Sequence, residues 1–182
     1  MSSRPTSSTS RQQSDSSGAS YTFKLYTFHE TNLYEECVLP NEGLLGRFEN
    51  MIDTSEKITE VMFYTNLLTV FQLQKNLLYQ AYIVFKTDNW WWSIENKDEE
   101  SGEKSILLQR SKKIELVRDN CRGINRQEGF NTKIECQKTK AVGDKTIKQL
   151  VQHVQGENFL NEEFHSVENN SKDFADNIYE FL

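Results

Sequence analysis

The sequence predicts one α+β domain in which helices pack against an antiparallel sheet. Two observations point to this class. Aromatic and β-branched residues alternate with polar ones over several short segments, and two late segments repeat apolar residues at helical spacing. The composition agrees, because eleven Phe, seven Tyr and three Trp supply enough apolar area for a real core in a chain of 182 residues.

The predicted strands begin with "YTFKLYTF", whose alternation is typical of a half-buried strand. The strand segments are residues 21–28, 57–74, 77–87, 105–111 and 133–139. A helix at residues 66–77 is the alternative for the end of the second segment. A short helix is predicted in "NEGLLGRFENMID", although Gly43 and Gly46 weaken it.

The stretch "YQAYIVFKTDNWWWSIE" predicts a hairpin that turns at Asp88 and Asn89. Strand alternation places Gln80, Tyr82 and Val84 on one face, and Ala81, Ile83 and Phe85 on the other. A polar loop at 96–105 follows the hairpin.

Two helices are predicted near the end of the chain. In the first, Ile147, Leu150, Val151 and Val154 share one face, Asp144 or Thr146 can cap the start, and Gly156 marks the end. In the second, which opens at Ser171, an apolar stripe must dock on a core. The stripe is Phe174, Ile178, Phe181 and Leu182.

Residues 1–20 contain nine serines and two threonines and almost nothing to bury, so we expect a disordered arm before a single domain at 21–182. No apolar run could span a bilayer and no secretory signal is visible, which predicts a soluble, cytoplasmic protein. Cys37, Cys121 and Cys136 are then expected to be reduced thiols. Neither these cysteines nor the three scattered histidines suggest a metal or cofactor.

The net charge of −6 and the lack of a recognition motif argue against nucleic acid, even though residues 104–126 are basic. The flexible N-terminal arm and the acidic C-terminal face instead favour a protein partner.

Two blocks resemble the permuted papain-like class of lecithin retinol acyltransferase and the bacterial cell-wall endopeptidases. "NNSKDFADNIYEF" at 169–181 is similar to the Asn-Cys-x-x-Phe block of that class, with Asn170, Ser171, Phe174 and Ala175 at its positions. The hairpin at 79–95 is similar to the strand pair that normally begins with the catalytic histidine. The resemblance covers residues 78–182 and implies a lipid or peptide ligand.

Both catalytic positions are altered under this resemblance. Ser171 stands where the block has cysteine, and Gln80 where the strand has histidine. Serine is far harder to deprotonate than cysteine, and glutamine accepts no proton near neutral pH. The resemblance therefore predicts a non-catalytic module, with a binding cleft formed by Gln80, Ser171 and neighbouring side chains. The neighbours are Tyr82, Trp91 and Asn170.

Several alternatives stay open at the level of sequence. Ser171 or Asn170 can be a helix cap only, and a shift of one residue would turn Gln80 to the other sheet face. A retained hydrolase or acyltransferase would use Ser171 with His165 or His29, or would carry a serine introduced by engineering. The Ser-rich arm alone suggests a structural or virion-associated subunit.

Overall fold

The computed structural model describes seven stretches of the chain. They are residues 21–28, 34–40, 42–67, 79–98, 104–127, 133–156 and 170–182. The predicted arm at 1–20, His29, His165 and most of the alternative helix at 66–77 lie outside these stretches.

Nine strands and four helices are present in the described residues. The strands are β1 (Tyr21–Phe28), β2 (Tyr34–Pro40), β3 (Ile58–Leu67), β4 (Tyr79–Thr87), β5 (Trp91–Asp98), β6 (Lys104–Ser111), β7 (Asn120–Cys121), β8 (Ile124–Asn125) and β9 (Ile134–Ala141). The helices are α1 (Leu44–Met51), α2 (Ile114–Arg118), α3 (Ile147–Gly156) and α4 (Asn170–Phe181).

Seven of these strands form one sheet in the order β2-β1-β6-β5-β4-β3-β9, and β7 and β8 form a separate small hairpin. The predicted α+β class, with helices packed on the sheet, is confirmed. The sheet is antiparallel except for β1, which runs parallel to β6. That pairing needs a long crossover through the chain between them, which strand patterns alone do not reveal.

The larger core lies on the face of the sheet that α1, α3 and α4 cover. Alternate residues of β4 (Ala81, Ile83 and Phe85) point into it, as strand geometry requires. Phe174 and Ile178 of α4 are almost fully buried there, and each such side chain contributes about 1.5–3 kcal/mol to folding. The predicted apolar stripe of the last helix therefore does dock on a core.

The second face of the sheet is covered by α2 and the β7–β8 hairpin. Tyr82 and Val84, the intervening residues of β4, pack there with Val117 of α2 and with Cys121. This face also buries polar side chains, among them Ser93, Glu95 and Gln109. Since buried polar groups need partners, this layer is expected to be held by specific hydrogen bonds.

Most of the predicted elements are present with shifted ends. The loop at 96–105 is shorter than predicted, because β5 continues to Asp98 and β6 begins at Lys104. In α3, Thr146 and not Asp144 is the cap: its Oγ1 accepts the Gln149 N–H while Gln149 Oε1 accepts the Thr146 N–H. Strand β2, helix α2 and the β7–β8 hairpin were not predicted.

Across the stretches that the structure describes, none of the helices combines the length and apolar character needed to cross a membrane.

Candidate functional site

The first turn of α4 touches the start of β4. The helix begins at Asn170, and the Ser171 Oγ accepts a hydrogen bond of 3.2 Å from the backbone N–H of Ala81. The helix lies on the sheet because its buried residues pack mainly against β4, with further contacts to β5 and β3. The structure therefore brings the Ser171 hydroxyl to within one residue of Gln80 along β4.

The Ser171 hydroxyl replaces a backbone hydrogen bond that is missing between β4 and β5. We call each such hydrogen bond of the ladder a rung. The hydrogen-bonded pairs of this hairpin recur at every second residue, starting with Thr87 N–H to Trp90 C=O. The paired region stops at Ile83 opposite Ile94. In the same register, the next rung would join the Ala81 N–H to the Asn96 C=O.

Two side chains partner the two backbone groups of that unmade rung. Ser171 Oγ accepts the Ala81 N–H, and Gln80 Nε2 donates to the Asn96 C=O at 3.1 Å. Because a buried backbone group without a partner is costly, each of these side chains stabilises the opening between the strands. We call these four residues, Gln80, Ala81, Asn96 and Ser171, the fork.

The side chains of Gln80 and Ser171 approach the fork from different faces of the sheet. Gln80 shares the parity of Tyr82 and Val84, which lie in the second core, while α4 packs on the first face. The residue of β4 that faces α4 beside Ser171 is Ala81, which is fully buried. The sequence analysis left open a shift of one residue that would turn Gln80 to the other sheet face, and the structure has Gln80 on the face away from α4. Ala81, which faces α4 instead, carries no group that can accept or donate a proton.

The one histidine in the described part of the chain lies away from Ser171. His153 on α3 contacts Asn177 Oδ1 at 2.7 Å and stacks on Phe181. Asn177 is six residues beyond Ser171, which is about 9 Å along the helix axis. His153 is therefore placed to join α3 to α4 rather than to serve Ser171 as a base.

Tyr82 is a core residue of the second face. Its hydroxyl donates to the Arg118 C=O at 2.8 Å, and the Arg126 guanidinium lies 3.9 Å from the centre of its ring. Burial raises the pKa of Tyr82 far above its ordinary value, so it stays neutral. This predicted binding residue is fully enclosed.

Trp91 lies at the far end of the hairpin from the fork. It is opposite Lys86, six residues along β4 from Gln80, which corresponds to about 20 Å. The Lys86 ammonium is 5.3 Å from its ring centre. The structure therefore brings Ser171 next to the start of β4 but leaves Trp91 apart from it.

A buried ion pair, which sequence reasoning missed, stabilises the second face. Arg126 donates to both carboxylate oxygens of Glu95, and both side chains are almost completely enclosed. Burial opposes ionisation of Glu95, but the charge and hydrogen bonds of Arg126 outweigh it, so the pKa of Glu95 lies below its ordinary value. Glu95 lies on the same sheet face as the buried Ser93. A glutamate at such a position of a buried strand was the sequence signal that could have indicated a buried ion pair.

The cysteines Cys37, Cys121 and Cys136 are free thiols. Burial raises the pKa of the Cys121 thiol, which makes it a poor nucleophile. Within the described stretches, no cluster of three or more His, Cys, Asp and Glu side chains is arranged to hold a metal ion.

A groove of about 650 Å³ runs beside α4, over the ends of β3 and β9. Phe63, Leu67 and Tyr79 supply its apolar surface. The charged rim consists of Lys133, Glu135, Lys138, Lys172 and Asp176, and Thr65 and Gln137 complete the lining. Sequence reasoning missed the groove, because its residues come from four separate elements that only the sheet order brings together.

The rim of the groove carries an excess of positive charge. Asp176 binds Lys172 at 2.8 Å and Lys138 at 3.0 Å, while Lys133 pairs with Glu135. Burial opposes ionisation of Asp176, but the hydrogen bonds from Lys172 and Lys138 prevail, so the pKa of Asp176 is lowered. Three lysines against two carboxylates favour a ligand with an anionic group beside an apolar body.

Comparison of the chain with protein-family models, with curated proteins and with solved structures found no match.

Removing the charge of Glu95 should destabilise the fold strongly. Glu95→Gln leaves the Arg126 charge buried without its counter-ion, so we expect a loss of about 3–5 kcal/mol in urea unfolding. The paired replacement Glu95→Leu with Arg126→Met should recover much of this loss. Equal stability of Glu95→Gln and the natural chain would contradict the structural role.

The same variant has a defined pH dependence. The folded pKa of Glu95 lies below its unfolded value of about 4.3. The stability that its ionisation contributes is therefore present above that pH and is lost as the pH falls through the folded pKa. Urea titrations should show a smaller loss of stability on acidification for Glu95→Gln than for the natural chain.

Proposed function

We propose that this chain is a non-catalytic binding module with a papain-like arrangement of helix start and strand. The observation that carries the proposal is the fork, where the Ser171 hydroxyl accepts a hydrogen bond from the sheet and faces Ala81. Under the papain-like resemblance, Ser171 stands at the place of the nucleophile and Gln80 at the place of the base. Here both side chains hold backbone groups of the sheet.

The chemistry of the fork explains why binding is favoured over catalysis. A nucleophilic serine needs a neighbouring group that removes its proton, and neither Ala81 nor Gln80 can do so. The dipole at a helix start assists a thiolate, but the proton of a hydroxyl is held far more tightly. The sequence-based prediction placed the lost base at Gln80, whose side chain lies on the sheet face opposite α4.

The groove is the binding surface that we assign to this module. Its apolar surface and lysine-bearing rim suit an elongated ligand with an anionic group, such as an acyl carboxylate or an acidic peptide. We place the protein in the cytoplasm, where free thiols such as Cys37, Cys121 and Cys136 persist.

Reactivity at residue 171 separates a binding module from a hydrolase. The natural chain should not be labelled at Ser171 by a fluorophosphonate probe, because the described residues place no base beside the hydroxyl. A probe adduct on Ser171, detected by mass spectrometry, would overturn the proposal in favour of an active serine hydrolase or acyltransferase.

A matched pair of variants tests which face of the sheet can place a base beside residue 171. Ser171→Cys with Ala81→His should react with iodoacetamide at pH 6 at least about tenfold faster than Ser171→Cys alone, since an adjacent imidazole lowers the thiol pKa. Ser171→Cys with Gln80→His should match the single variant, because that histidine points to the other face. If Ala81→His prevents folding, fluorophosphonate labelling of the natural chain alone distinguishes a binding module from a hydrolase.

Binding in the groove can be measured with the fluorescent anion 1-anilinonaphthalene-8-sulfonate. We expect Leu67→Asp to abolish saturable binding to the folded protein, because it puts a charge into the apolar surface. Lys172→Met should weaken binding about fivefold, as expected for losing one charge near solvent. Lys148→Met on α3 is the control. Unchanged binding in Leu67→Asp would exclude the groove as the site.

A further inference from the structure

The two edge strands of the described sheet differ in the features that protect an edge from pairing with another strand. At one edge, β9 is preceded by Lys133 and carries Lys138 and Lys140, and its pairing with β3 has a register shift. Lysines and irregular pairing are common ways in which an edge strand is kept from joining another strand. At the other edge, β2 has neither lysine nor arginine, and its pairing with β1 is regular over seven residues.

The exposed large hydrophobic residues gather at the β2 edge. Four such residues occur in the described chain: Tyr34 (42% exposed), Val38 (53%), Met51 (42%) and Ile124 (63%). Tyr34 and Val38 are on β2 itself, and Met51 Sδ lies 3.7 Å from Cys37 Sγ on the same strand.

The fourth residue, Ile124, follows a glycine that lies against β2. Gly123 has a φ of 76°, and a Cβ at this position would stand 2.6 Å from the ring of Tyr34. Glycine therefore lets the β7–β8 turn lie against Tyr34. Apolar side chains thus border the edge strand on both faces of the sheet.

The charge of β2 indicates which strand it would accept. Tyr34, Glu36 and Val38 follow one another on the second face of the sheet, since Leu39 and Cys37 belong to the first. An added strand would place three successive side chains of one face opposite them. An added strand that carries an apolar, a basic and an apolar residue opposite Tyr34, Glu36 and Val38 would complement them.

We propose that the β2 edge binds an extended segment of a partner protein, which adds to the sheet as an eighth strand and presents an apolar-x-Lys/Arg-x-apolar pattern. The backbone of β2 supplies the hydrogen bonds of such strand addition, while Tyr34, Glu36 and Val38 select the sequence. This surface is at the opposite end of the sheet from the groove and goes beyond the ligand proposed there. A second copy of the chain fits less well, because two β2 strands would bring four glutamates together.

The test uses two synthetic peptides, Thr-Val-Thr-Lys-Thr-Val-Thr and the same peptide with Glu in place of Lys. In ¹⁵N-resolved NMR titrations of the full chain, the Lys peptide should shift residues 34–40 and bind about tenfold tighter than the Glu peptide. The difference reflects an opposite-charge pair against a like-charge pair across strands. The variant Glu36→Lys should reverse the preference.

A variant at each edge provides the controls. Val38→Lys should abolish binding of the Lys peptide, while Thr139→Lys on β9 should leave it unchanged. Equal affinity for the two peptides, an unaltered preference in Glu36→Lys, or shifts at 134–141 in place of 34–40 would each overturn the proposal. Sizing that showed a dimer with residues 34–40 already protected from exchange would assign the edge to a second copy, and would overturn it as well.

Discussion

The unmade hydrogen bond between Ala81 and Asn96 is the constraint on which the junction of α4 with the β4–β5 hairpin depends. A sheet cannot leave these backbone groups buried without partners, so the strands open only where side chains replace the rung. Ser171 and Gln80 do this from opposite faces. The hydrogen bond from Ala81 to Ser171 joins the first turn of α4 to β4, while the burial of Phe174 and Ile178 holds the helix on the larger core.

The two faces of the sheet carry different features beside their cores. On the first face, the docking of α4 over β4 leaves space beside it over β3 and β9, and this space is the groove. On the second face, the enclosed pair of Glu95 and Arg126 joins β5 to the segment that follows the small hairpin. A paired charge at this depth contributes little net stability but is costly to disrupt, so it defines one arrangement of that segment.

The sequence predicted the elements well where periodicity is strong, as in α4 and the β4–β5 hairpin. It missed β2, because an exposed edge strand such as "YEECVLP" lacks the alternation that burial imposes. It could list the two faces of β4 but could not say which one α4 covers, so it could not show that the Gln80 side chain points away from α4. Glu95 and Arg126 are 31 residues apart, and only the folded sheet brings them together.

The most direct measurement is the hydrogen-exchange rate of the Ala81 amide in the natural chain and in Ser171→Ala. If the hydroxyl replaces the rung, this amide exchanges slowly in the natural chain and markedly faster in the variant, while amides in the middle of α4, such as that of Ile178, remain protected. An Ala81 amide that exchanges at the same rate in both proteins would contradict the account, because Ser171 would then have no role in the sheet.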